Sequence, residues 1–116
     1  MADPGPSSRV ELWHEAAGEG DPPVLLLHAG ICDARMWGPQ RDALTARRRT
    51  IRCDLRGYGL SELAPEGFSH AGDVAALLER LGSAPAAVVG ASFGGLVALD
   101  LALGRPDLVE RLVLAD

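Results

Sequence analysis

Short apolar runs alternate along this chain with longer stretches whose apolar residues recur at helical spacing. VLLLHA (24–29) is a compact run of the kind expected for a strand buried on both faces. TIRCDL (50–55), AAVVGA (86–91) and ERLVLAD (110–116) read as further strands. RVELWHEAAG (9–18) reads as another, followed by a turn punctuated by Gly18, Gly20, Pro22 and Pro23. Residues 34–48 carry apolar side chains at helical intervals, with Gly38 and Pro39 setting the start at about Pro39. A second helix is predicted from Ser69 to Leu81, with Ser69 as N-cap and Gly82 just past the end. A third, from Phe93 to Leu103, is apolar on nearly every face and is stopped by Gly104 and Pro106. RGYGLSELAPEGF (56–68) reads as loop.

Strands that alternate with helices predict the α/β class: a mostly parallel sheet with helices on both faces. In such a sheet the functional loops gather at the carboxyl ends of the strands. Three loops qualify, after Leu27, after Cys53 and after Val89, and each contains glycine. Residues 1–8, rich in Pro, Gly and Ser, are expected to form a loose tail, leaving 9–116 as one domain or part of one.

Composition narrows the function classes. With 47% hydrophobic and 23% charged residues the chain is globular in character. All eleven cationic side chains are arginines, the net charge is -5, and no basic stripe is interleaved with aromatics, which argues against nucleic acid as partner. The one dense cationic run, Arg47 to Arg49, is expected at a solvated helix C-terminus. Cys32 and Cys53 stand in no metal-like spacing, so a reduced, cytoplasmic setting is the expectation and a disulfide scaffold is excluded. The first residues lack the pattern of a signal peptide, and no apolar run approaches the ~20 residues of a membrane helix. No metal or cofactor is expected.

The chemistry concentrates at Gly90-Ala91-Ser92-Phe93-Gly94, a G-x-S-x-G pattern set between a predicted strand and a predicted helix. A sharp strand-to-helix turn would lift the serine oxygen clear of the sheet, at a helix N-terminus whose amides favour negative charge. It would hold the serine at backbone angles costing on the order of 1–3 kcal/mol. Glycines two residues before and after it remove side chains that would collide, and Gly95 adds room for the helix to approach the strand. Two other readings of the segment stand beside this one. The first is a Gly/Ser loop that merely packs helix on strand. The second is a dinucleotide-binding turn, since VVGASFGG resembles the T-G-x-x-x-G-x-G turn of short-chain dehydrogenases and Asp116 could meet a ribose. Gly90 and Gly94 fit that pattern, but the third glycine would fall at Leu96, and about three strands precede a turn that normally opens its fold.

From about Arg9 to Asp116 the chain resembles the N-terminal half of the α/β-hydrolase fold. The resemblance rests on the turn at Ser92, on LLLHAG (25–30) with Trp37 nine residues beyond His28, and on DLRGYGLSE (54–62). It implies a serine hydrolase acting on an ester, lactone, thioester or similar carbonyl, with Ser92 as nucleophile. The amides of Gly30 and Phe93 would then form the oxyanion hole, although Ala29 stands where family members often have glycine. Gly30 also reads simply as a turn glycine. In the DLRGYGLSE loop the resemblance implies a structural role: Asp54 and Arg56 tie the loop together locally, and Gly57 and Gly59 supply unusual backbone angles. Trp37, Cys32 and Phe93 are expected to line one wall of a substrate site.

In this family the catalytic acid and then a histidine base follow the serine. No histidine follows Ser92, so acid and base are expected from residues outside this chain. His28 would organise the oxyanion loop, while His14 and His70 read as solvated or packed, and Asp116 as structural. The resemblance ends where the family's sixth strand ends, as in a truncated hydrolase, which leaves an unpaired sheet edge. The alternative function is therefore a catalytically silent chain that binds, self-associates or is complemented through that edge.

Overall fold

The computed structural model describes residues 10–63 and 67–115, so the N-terminal tail and Asp116 lie outside the described residues. Five strands form one sheet: β1 (His14–Ala17), β2 (Val24–Leu27), β3 (Thr50–Cys53), β4 (Ala86–Ala91) and β5 (Val109–Ala115). Their order is β1-β3-β2-β4-β5. β3, β2, β4 and β5 run parallel, and only β1 joins antiparallel, on β3. The helices are α1 (Gly38–Leu44), α2 (His70–Leu81) and α3 (Phe93–Gly104).

The central strands explain their own composition. β2 lies between β3 and β4, and all four of its residues are buried. Leu25 and Leu27 join Ile51, Cys53 and Val88 on the face covered by Val74, Leu77 and Leu78 of α2 and Val97, Ala98 and Leu101 of α3. Val24 and Leu26 point the other way, into a smaller cluster with Trp37 and Ala91 and with Leu44 of α1 against it. Helices therefore cover both faces, as the alternating pattern predicts. α2 has the predicted ends: Ser69 Oγ accepts from the Gly72 amide at 2.9 Å, and Gly82 closes the helix at φ +60°.

Three elements differ from expectation. The first strand is shorter than 9–18: its ladder with β3 runs from His14 to Ala17, and ahead of it the Trp13 carbonyl accepts from the Asp54 amide at 2.9 Å while the Trp13 amide donates to Ser61 Oγ at 2.9 Å. Val10 and Leu12 are buried nonetheless. The helix expected to run on to residue 48 opens with a 3-10 turn, Ala34–Trp37, and α1 ends at Leu44. Thr45 to Arg49 instead turn back onto Gly18 and Gly20, where Arg49 donates its amide to the Gly20 carbonyl at 3.1 Å. A β-carbon on Gly18 would stand 2.7 Å from the Thr45 carbonyl oxygen, so the turn requires glycine there. Arg47 and Arg48 are consequently exposed in a turn past the helix, and Arg49 reaches Ser83 Oγ at 3.1 Å.

β5 is the uncovered edge. Val113 and Leu114 are 51% and 54% exposed, and Leu96, Leu99 and Leu103 of α3 are also exposed. Among the described residues no helix is long and apolar enough to cross a membrane.

Candidate active site

β4 runs straight into α3 through one residue, Ser92, which is exposed. Its backbone sits at φ +51°, ψ -112°, a region disfavoured for any residue with a β-carbon. The flanking glycines make this possible. A β-carbon on Gly90 would stand 2.7 Å from the Gly95 α-carbon, and one on Gly94 would meet the carbonyl oxygens of Leu27 and His28. Gly95 is less demanding, with its nearest neighbour, the Gly90 carbonyl oxygen, at 3.4 Å from such a β-carbon. The Ser92 amide donates to the Ala115 carbonyl at 2.8 Å, which pins the turn to the end of β5.

The loop after β2 meets this turn because Leu27 pairs in register with Gly90. A β-carbon on Gly30 would lie 3.5 Å from Phe93 Cβ, so the two predicted amide donors belong to residues in contact. Neither amide is engaged by a hydrogen-bond acceptor among the described residues. His28 underlies the loop, fully buried. Its Nε2 accepts from the Leu55 amide at 2.9 Å, which leaves the proton on Nδ1, directed at the Ala29 carbonyl at 2.8 Å. Both ring nitrogens are thereby committed to backbone, and neither faces Ser92.

The third loop is tied to the second by Asp54, whose Oδ1 accepts from the Ala34 amide at 2.7 Å and Oδ2 from the Leu60 amide at 2.9 Å. Gly57 and Gly59 take φ +83° and +52°, as the loop reading requires. Arg56 also holds a partner outside its own loop. It reaches α2, donating to both carboxylate oxygens of Asp73 at 2.7 and 2.8 Å, with its guanidinium 4.1 Å from the Phe68 ring centroid. The reason is burial: Arg56 is 3% exposed, and a charge so placed needs a full partner. Sequence spacing held no signal for that partner, seventeen positions away.

Trp37 corrects an expectation: it is 6% exposed, packed with Val24, Leu26 and Ala91 beneath the turns rather than on a site wall. His70 is a residue whose place the sequence did not disclose. It packs edge-on against Phe93, ring centroids 5.3 Å apart, and Tyr58 lies 6.3 Å from the same ring. Burial lowers the His70 pKa below the ordinary histidine value, Asp73 opposing and the Arg56 charge assisting. Beside the Gly30 loop, Asp33 is held down to about 2 by its bidentate contact with Arg35. Cys53, wholly buried in β3, has its pKa pushed up to about 12 by burial and stays an unreactive thiol. Among the described residues no group of three or more His, Cys, Asp or Glu is arranged to hold a metal ion.

A family model described as alpha/beta hydrolase fold matches residues 22–116. The chain belongs to that family. Among curated α/β-hydrolase relatives, the sn-1-specific diacylglycerol lipase ABHD11 of Mus musculus is 37% identical over 99 residues, covering 82% of this chain and 32% of its own length. Of solved structures, a thermophilic esterase from Thermogutta terrifontis superposes with a TM-score of 0.84 at 38% identity, over 90% of this chain and 40% of the esterase. Est816, described as an N-acyl homoserine lactone degrading enzyme, gives 0.85 at 32% identity, over 90% of this chain and 41% of its own. The chain thus spans about two fifths of the length of these two solved structures.

Proposed function

We propose that these 116 residues carry the nucleophile and oxyanion hole of a serine hydrolase acting on an ester, lactone, thioester or similar carbonyl compound. Ser92 Oγ bonds to the carbonyl carbon as the C=O π electrons move onto oxygen, and the serine proton passes to a base. The oxyanion lies between the amides of Gly30 and Phe93. Its collapse breaks the bond to the leaving alcohol or thiol, which takes the proton from the base and leaves an acyl-serine. Water then repeats the sequence, giving the carboxylic acid and free serine. Each oxyanion donor in such a site is worth roughly 10²–10³ in rate.

The observation that carries this reading is an exposed serine at φ +51° beside two neighbouring backbone amides with no acceptor among the described residues. The names of the esterase, the lipase and the lactone-degrading relative support a carbonyl substrate. His28 is committed to Leu55 and Ala29, so in this reading acid and base come from polypeptide outside the chain.

The test is fluorophosphonate labelling read by intact mass. It is run on the chain alone and on the chain grafted to the C-terminal portion of the T. terrifontis esterase, each beside Ser92→Ala. A single adduct lost in Ser92→Ala is the expected result. An adduct that survives Ser92→Ala, or none in either form, overturns the assignment.

A second reading, association through the β5 edge, is favoured by the exposed Val113 and Leu114. It predicts a concentration-dependent mass in light scattering that Val113→Lys reduces to the monomer.

A further inference from the structure

Among the described residues two non-glycine positions have positive φ: Ser92 at +51° and Ile31 at +59°. They flank the same contact. Ile31 follows Gly30, whose α-carbon faces Phe93, and Phe93 follows Ser92. The Cys32 amide donates to the Ala29 carbonyl at 3.2 Å, closing a four-residue turn with Ile31 in third place. With positive φ that place ordinarily takes glycine or asparagine, and a β-branched residue is the least suited to it. Here glycine stands one position earlier, and the isoleucine side chain is fully exposed. Among the described residues the side chain fills no core, and glycine would relieve the backbone. Strain that recurs at two adjacent turns of one candidate site points to function rather than packing.

We propose that Ile31 is a specificity-determining residue, which holds its side chain out beside Ser92 to contact the apolar acyl part of the substrate. This rests on the Ser92 reading above. It commits the substrate class further, to carbonyl compounds with an alkyl chain rather than short or polar acyl groups. Gly30 would grip the reacting oxygen while its neighbour grips the chain attached to the same carbonyl.

The chain contains two isoleucines, Ile31 and Ile51, and Ile51 is wholly buried in β3, which makes it an internal control. The experiment titrates the chain grafted to the C-terminal portion of the T. terrifontis esterase, δ1-methyl-labelled only at the isoleucines of this chain, with butyl-, hexyl- and octylboronic acid. These add to a serine oxygen as a tetrahedral boronate and release one proton. The expected result is a shift of the Ile31 methyl signal that grows with chain length while Ile51 stays in place. The affinity gain from butyl to octyl should be about tenfold larger in wild type than in Ile31→Gly, and restored in Ile31→Leu. Because glycine suits the backbone, Ile31→Gly folds and melts no lower than wild type. Boronate binding that requires Ser92 but leaves the Ile31 methyl unmoved overturns the inference and spares the Ser92 reading. Chain-length-dependent Ile31 shifts that persist in Ser92→Ala overturn the Ser92 reading and keep the apolar contact. No boronate binding by grafted protein that still takes the fluorophosphonate at Ser92 overturns the inference and spares the Ser92 reading.

Discussion

Gly94, in the first turn of α3, packs its α-carbon against the carbonyl oxygen of Leu27 at the end of β2. That contact brings the helix down onto the sheet and sets the height at which Ser92 stands above it. Gly94→Ala has no room, because backbone on both sides would have to move. It should cost at least about 1–3 kcal/mol in urea denaturation. Gly95→Ala, one residue on, meets its nearest neighbour at 3.4 Å and gains helix propensity of up to about 1 kcal/mol, so it should be neutral or mildly stabilising. Equal losses at the two positions would mean that the close approach lies elsewhere.

Asp73 and Arg56 form an ion pair whose side chains are 10% and 2% exposed. Asp73→Ala leaves a buried guanidinium without its carboxylate and should destabilise by about 3–5 kcal/mol. That is a large share of the roughly 5–15 kcal/mol that holds a domain folded. The double change Arg56→Met with Asp73→Leu should lose less, because no charge stays buried. Thermal melts followed by circular dichroism separate the two.

His70 sets a pH dependence. Burial lowers its folded-state pKa below the ordinary 6.5, so the unfolded chain binds this proton more readily. Its contribution is complete above pH 6.5 and declines as the pH falls from there toward the lowered folded-state value. The melting temperature should therefore drop between pH 7.5 and pH 5.5. His70→Phe, which keeps the edge contact with Phe93 but cannot take a proton, should flatten that slope.

His28 bridges the loops after β2 and β3. His28→Leu leaves the Leu55 amide buried without its acceptor, a loss of about 1–3 kcal/mol. Because the ring serves backbone and not Ser92, fluorophosphonate labelling of His28→Leu should fall no further than its folded fraction does. A selective loss of labelling in fully folded protein would make His28 part of the chemistry.

Much of this architecture follows from local rules. Four apolar residues in a row at Val24–Leu27 require burial on both faces, which only a central parallel strand provides. Ser69 and Gly82 bracket α2 because capping chemistry acts within one turn of the helix. The strained angle at Ser92 is legible in Gly90, since a β-carbon there collides with Gly94 and Gly95 of the same turn, whereas one on Gly94 meets Leu27 and His28 of another strand.

What the tertiary structure decided lies between segments distant in sequence. The partnership of Arg56 with Asp73, the placing of His70 against Phe93 and the engagement of both His28 nitrogens depend on which strand ends are brought level by the register of β2 with β3 and β4. Helix α1 stops at Leu44 because the following turn packs on Gly18 and Gly20, against which helical periodicity has no vote. Ile31 is the plainest case. Its residue type argues against a left-handed backbone, and only the closure of the Ala29–Cys32 turn over the Ser92 loop imposes one. Periodicity and capping are energies of near neighbours and can be read along the chain, whereas ion pairs, ring contacts and strained turns are set by packing that no single segment specifies.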